Sequence, residues 1–246
     1  MRIKICGITS AADGRKAALL GADAVGINFY KQSPRCVDAE TAEAILRELP
    51  PFCEPVAVFV NRALQGVFET LNQLGRVRTF QWHGENREVA DCYPFQMVAA
   101  FAVSEVVHLR DIARYLDVCR DVAKVPAAIL IDAHVPGQYG GTGQSAPWDL
   151  LADFQPLVPV ILAGGLTAAN VAEAIRVVQP YAVDVASGVE TKPGHKDPDK
   201  MRRFIDAARN AAEKYLTKAA LSVNSYGSQL DWNVPVRVKD WTMHER

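Results

Sequence analysis

The chain has 246 residues, of which 49% are hydrophobic and 22% charged, an ordinary balance for a globular protein and one that argues against disorder. Its net charge of −1 gives no field that would draw it to nucleic acid or to an anionic membrane, so neither is expected as a partner. No stretch is long and apolar enough to span a bilayer, and the opening MRIKICGIT lacks the basic-then-apolar pattern of a leader peptide. The five cysteines, Cys6, Cys36, Cys53, Cys92 and Cys119, are odd in number and show no CxxC spacing. Neither a disulfide framework nor a metal site is suggested, and a reducing cytoplasm is the expected location.

Taken in order, Arg2 to Cys6 reads as a short β-branched strand, and Gly7 to Ser10 turns it into a helix over Ser10 to Leu20 that Gly21 ends. Ala24 to Phe29 is a second strand, followed by the polar loop Tyr30 to Arg35 and a helix over Ala39 to Leu49, closed by Pro50-Pro51. Val56 to Val60 is the third strand, ending at Asn61, with an amphipathic helix over Leu64 to Leu74. Val77 to Trp82 is the fourth, with Gln81, His83 and Gly84 at its exit. Phe95 to Phe101 is the fifth, with a helix near Val107 to Ala123, and Ala127 to Ile131 is the sixth, stopping at Asp132. The glycine-rich loop Ala133 to Ser145 is too long for a minimal turn and reads as a lid or substrate loop. Pro159 to Leu162 and Tyr181 to Ala186 are strands seven and eight, with helices over Ala168 to Val178 and Pro198 to Leu216.

Eight strand-helix alternations of this kind, with strands written as continuous apolar runs, predict a buried parallel sheet. A single (β/α)8 TIM barrel needs about 250 residues, so residues 1–216 form one barrel and 217–246 a C-terminal extension. A doubly wound open sheet is the competing α/β fold, but no GxGxxG follows the first strand. The extension carries Trp232 and Trp241, which disfavours pure disorder; it is expected to dock on the barrel or at a subunit contact, with a loose tail as the alternative.

In such a barrel the loops after strands seven and eight commonly hold a phosphate on backbone N–H groups. Here those loops carry Gly164-Gly165 and Ser187-Gly188; tight βα turns are the plainer alternative. The C-terminal face also gathers Cys6, Asn28, Arg35, Asn61, His83, Asp132 and Asp184, more ionisable groups than a Val/Ile/Leu-packed barrel requires. A loop cap is the alternative for Asp132, and a core position for Cys6. A thiol as base facing a protonated carboxylic acid would suit proton transfer at a carbon next to C=N or C=O. His83 could carry a proton, with a positioning or core role as the alternative.

KICGIT at Lys4 to Thr9, GINFYKQSPR at Gly26 to Arg35, VAVFVN at Val56 to Asn61 and QWHGE at Gln81 to Glu85 resemble the phosphoribosylanthranilate isomerases of tryptophan biosynthesis. So do LID at Leu130 to Asp132, GGTG at Gly140 to Gly143, LAGGLTAANV at Leu162 to Val171 and DVASGVETKPGHKD at Asp184 to Asp197. The resemblance runs in unbroken order to about Leu216 and implies an Amadori rearrangement of a small phosphosugar substrate on a (β/α)8 barrel, as a monomer or homodimer, with no metal or redox cofactor. By the same resemblance, Asp132 is the general acid and Cys6 the general base. Arg35 would receive the anthranilate carboxylate, and Gly164, Gly165, Ser187 and Gly188 the phosphate. Asp184 would meet a sugar hydroxyl and His83 would line the substrate site. Trp82 stands where leucine is usual and is expected to narrow the barrel interior; Ala186 stands where serine is frequent. The histidine-pathway aminoaldose isomerases are a close rival, although they place an aspartate where this chain has Cys6. Indole-glycerol phosphate synthases share the phosphate site but need barrel lysines that VAVFVN does not offer. A non-catalytic phosphometabolite-binding barrel is the rival from another class.

Overall fold

The computed structural model describes residues 1–84, 89–132 and 148–224, with side chains through residue 214. Eight parallel strands close into a barrel in sequence order: β1 (Arg2–Cys6), β2 (Ala24–Asn28), β3 (Glu54–Val60), β4 (Thr79–His83), β5 (Gln96–Ala102), β6 (Ala128–Asp132), β7 (Val160–Ala163) and β8 (Ala182–Val185). Around them lie α1 (Ala11–Leu20), α2 (Ala39–Glu48), α3 (Leu64–Leu74), α4 (Val106–Asp121), the single turn α5 (Trp148–Leu151), α6 (Val171–Val178) and α7 (Pro198–Asn224). The chain is a (β/α)8 barrel, closed by the pairing of β1 with β8 in which Lys4 stands opposite Asp184.

Local chemistry sets the helix ends. Ser10 caps α1 by accepting from the Asp13 N–H, and Gly21 ends it in the left-handed region at φ 103. Asp38 caps α2 in the same way through the Thr41 N–H.

The structure departs from the predicted elements in three places. The count of eight strand-helix alternations is one helix too many among the described residues, because the connection from β4 to β5 has none there. Pro94, two residues before β5, would stop a helix from running into that strand. At the other end α7 runs past Leu216 to Asn224, since Lys218, Ala219, Ala220 and Leu221 are good helix formers with no glycine or proline to stop them. A hairpin of β9 (Glu190–Lys192) and β10 (His195–Lys196) follows β8 after a 3-10 turn at Ser187–Val189. The glycine-rich loop through Gly140 to Gly143, and residues 225–246 of the extension, lie outside the described residues.

Strand parity divides the core in two. Ile3, Ile5, Phe59, Phe80, Ile129 and Phe204 belong to the large apolar layer between sheet and helices. Val98, Ala100, Ala128, Leu130 and Ala163 form a smaller cluster inside the barrel along β5, β6 and β7. Parity also corrects the expectation for Trp82. It packs in the outer layer, and its indole N–H donates to the Arg62 carbonyl at 2.9 Å, so it does not narrow the interior. Its neighbours Gln81 and His83 face inward instead.

Phe204, fully buried on α7, packs with Met201, Ile205 and Ala208 in the apolar layer against the barrel. Phe204→Ala should cost about 3–5 kcal/mol in urea unfolding, while Leu19→Ala, at a side chain 68% exposed, should stay within about 0.5 kcal/mol.

Candidate active site

All eight strands are parallel, so their last residues stand on one rim. Cys6 ends β1 and Asp132 ends β6, with β7 and β8 between them in the closed sheet. On β1, Ile3 and Ile5 belong to the outer layer, which turns Lys4 and Cys6 inward. On β6 the same parity holds: Ile129 and Ile131 pack outward, Ala128 and Leu130 pack in the barrel, and Asp132 follows them. Thiol and carboxyl therefore face the barrel mouth from strands three places apart. Gly26, opposite Cys6 in the ladder, makes room for the thiol. A Cβ there would lie 2.6 Å from Cys6 Sγ and 3.1 Å from Lys4 Nζ, which places sulfur and ammonium around the same point.

Below the thiol, the β1, β4 and β8 side of the barrel is polar. Lys4, Gln81 and Asp184 are 5%, 3% and 7% exposed, and Lys4 Nζ donates to Asp184 Oδ1 at 3.0 Å and to Gln81 Oε1 at 2.9 Å. With its oxygen turned to Lys4, Gln81 presents its NH2 to His83 Nε2, 2.6 Å away. That contact fits a histidine unprotonated at Nε2. Burial works against the Lys4 charge, but Asp184 and Cys6 outweigh it and hold its pKa above the usual lysine value. The Cys6 thiol is pushed up by burial and by Asp184, against the downward pull of Lys4 and Lys196. Asp184 was expected at a sugar hydroxyl; at least one of its oxygens is committed to Lys4.

Arg35 reaches the mouth from the β2 loop. Asn28 shapes that loop, accepting from the Tyr30 N–H at 2.8 Å and donating to Ser33 Oγ, which also accepts from the Arg35 N–H. The Arg35 stem then crosses Gly7, whose φ of 75 and lack of a Cβ leave space for the Arg35 Cδ. Glu190 on β9 takes the guanidinium as a fork, with Nε at 2.9 Å and Nη2 at 2.6 Å. The same carboxylate accepts from the fully buried Lys196 Nζ at 2.8 Å. Burial opposes the Glu190 charge, yet Arg35 and Lys196 hold its pKa below the usual carboxylate value. Burial also draws the Lys196 pKa down, in spite of Glu190.

At the β7 and β8 exits the two small-residue turns meet. Gly164 and Gly165 take φ values of 94 and 61, and a Cβ at Gly188 would collide with the Leu166 carbonyl. Glycine is thus required at 188 for the loops to touch. Asn170 ties the first loop together, donating to the Gly165 carbonyl at 3.0 Å and accepting from the Thr167 N–H at 2.7 Å.

The structure brings Cys6, Arg35, His83, Asp132, Gly164, Gly165, Ser187 and Gly188 to one end of the barrel, with Asp184 deeper inside. Sequence reasoning missed three charged members of this constellation. Lys4 sits inside a strand of ordinary appearance, and Glu190 and Lys196 lie in a block quoted only for Asp184, Ser187 and Gly188. The available signal was Glu190 and Lys196 on either side of the Pro193-Gly194 turn, directly after Ser187-Gly188. Among the described residues, no group of three or more His, Cys, Asp or Glu is placed to hold a metal ion.

A family model described as N-(5'-phosphoribosyl)anthranilate (PRA) isomerase matches residues 3–207. The N-(5'-phosphoribosyl)anthranilate isomerase of Geobacter metallireducens is 44% identical over 85% of this chain and 99% of its own length. Phosphoribosyl anthranilate isomerase from Thermotoga maritima superposes with a TM-score of 0.75 at 35% identity, covering 85% of this chain and 99% of that one. A solved phosphoribosyl anthranilate isomerase in complex with reduced 1-(o-carboxyphenylamino)-1-deoxyribulose 5-phosphate superposes at 0.71 with 33% identity over the same shares. The barrel, its rim of acid, thiol and glycine turns, and a match across most of the sequence lead to one conclusion: the chain belongs to the N-(5'-phosphoribosyl)anthranilate isomerase family.

Proposed function

We propose that the barrel mouth converts N-(5-phosphoribosyl)anthranilate to 1-(o-carboxyphenylamino)-1-deoxyribulose 5-phosphate. The observation that carries this reading is the inward, same-rim placement of Cys6 and Asp132 beside the glycine turns, in a chain of this family. The ligand of the relative solved as a complex is a reduced form of the same ketose product.

In this mechanism Asp132 protonates the furanose ring oxygen while the nitrogen lone pair forms C1′=N, breaking the C1′–O bond. The Cys6 thiolate then takes the C2′ proton. The C2′–H electrons become the C1′=C2′ bond, the iminium pair returns to nitrogen, and the resulting enolamine tautomerises to the ketone. The substrate supplies its own leaving and accepting groups, so these steps call for no redox cofactor or metal.

The distant phosphate rests on the backbone of Gly164, Gly165, Ser187 and Gly188, where small residues allow close approach. Arg35 receives the anthranilate carboxylate. Glu190 occupies Nε and one Nη2 proton, which leaves the Nη1 edge of the planar guanidinium for a second carboxylate, an edge that an ammonium does not have. His83, fixed through Gln81, lines the same mouth.

A fluorescence assay following consumption of freshly made phosphoribosylanthranilate tests the reading directly: the wild-type chain should consume it without added cofactor. Asp132→Asn and Cys6→Ser should each lower kcat by about 10²–10⁴-fold, the usual scale for a lost proton-transfer group. Near wild-type turnover by Cys6→Ser would show that another group is the base. Arg35→Lys keeps the charge but loses the fork, so KM should rise about tenfold with a smaller change in kcat.

A further inference from the structure

The mechanism above leaves the buried Lys4 cation without a task. Lys4 has three N–H donors; Asp184 and Gln81 take two within 3.0 Å, and its Nζ shares with Cys6 Sγ the space above Gly26. We propose that Lys4 is a positioning residue for the proton transfer: its ammonium, aimed by Asp184 and Gln81, is the counter-charge that stabilises the Cys6 thiolate. The proposal rests on Cys6 being the base.

The surroundings of the thiol support this role. Lys4 approaches from β1 itself, Asp184 from β8 and Lys196 from the β9–β10 hairpin, and Arg35 from the β2 loop. Glu190 neutralises part of the last two, binding both Arg35 and Lys196. Three cations against two anions leave a net positive charge around the sulfur, and a positive surround favours thiolate over thiol. Among these cations Lys4 has the largest effect on the thiol, opposing the burial that pushes its pKa up. Lys196 is already engaged, donating to Glu190 and to the Ala186 carbonyl at 3.1 Å.

The sign follows from the charge. Without the ammonium the thiolate is less stable and forms only at higher pH, so a reaction that needs thiolate has its rising limb moved upward. Removing the Asp184 carboxylate has the reverse effect, since it leaves the Lys4 charge undivided and removes a repelling anion.

Alkylation by iodoacetamide across a pH series, followed on the peptide carrying Cys6 by mass spectrometry, reads the thiol titration without turnover. Lys4→Met should raise the midpoint by about one unit. In parallel, kcat/KM at neutral pH should fall about tenfold, mostly through kcat, with partial recovery as pH rises. Asp184→Asn should lower the midpoint, and it decides the matter alone if Lys4→Met does not fold. Midpoints that stay put, or that move the same way in both variants, overturn the proposal while an inactive Cys6→Ser leaves the base assignment standing. A fully active Cys6→Ser overturns the base assignment and this proposal with it.

Discussion

The Lys4–Asp184 ion pair, buried between the first and last strands, is the constraint on which the barrel interior depends. It forms where the sheet closes, since the two residues stand opposite each other in the β1–β8 ladder. A charge taken out of water must be matched or it destabilises the fold, and removing one partner of such a pair costs about 3–5 kcal/mol. Gln81 completes the match from β4, across the barrel. The polar wedge made by these three residues leaves the apolar cluster to β5, β6 and β7, and it fixes what lies under the thiol at the mouth.

Glu190 plays the corresponding part above the rim. It binds Arg35 from the β2 loop and Lys196 from its own hairpin, while Lys200 at the start of α7 donates to its backbone carbonyl at 2.7 Å. A mobile, exposed arginine would lose side-chain entropy each time it bound an anion. An arginine already held in a carboxylate fork has lost that freedom on folding, so its free edge is preorganised. The hairpin therefore ties the small-residue turn after β8 to the Arg35 loop after β2, although the two come from opposite ends of the sequence.

Glycine does its work here by absence. Gly26 leaves space for sulfur and ammonium, Gly7 for the arginine stem, and Gly188 for a neighbouring carbonyl. Each is a place where two chains of atoms must pass closer than a methyl group allows.

The sequence by itself determined the barrel. Eight apolar runs with turn signals between them give the strand order, and their last residues mark the rim, so Cys6, Asp132 and the two glycine turns could be named before any coordinates. Those features are local: each run and each stop is written within a few residues. What only the tertiary structure decided is non-local. Strand parity inside the closed sheet turned Trp82 outward and Lys4 inward, and register at the closure set Lys4 against Asp184. Glu190 met Arg35 because a hairpin after β8 folds over the exit of β1, a contact between residues 155 positions apart that no local pattern encodes. Periodicity along a chain tells which residues share a face, but only packing tells which faces meet.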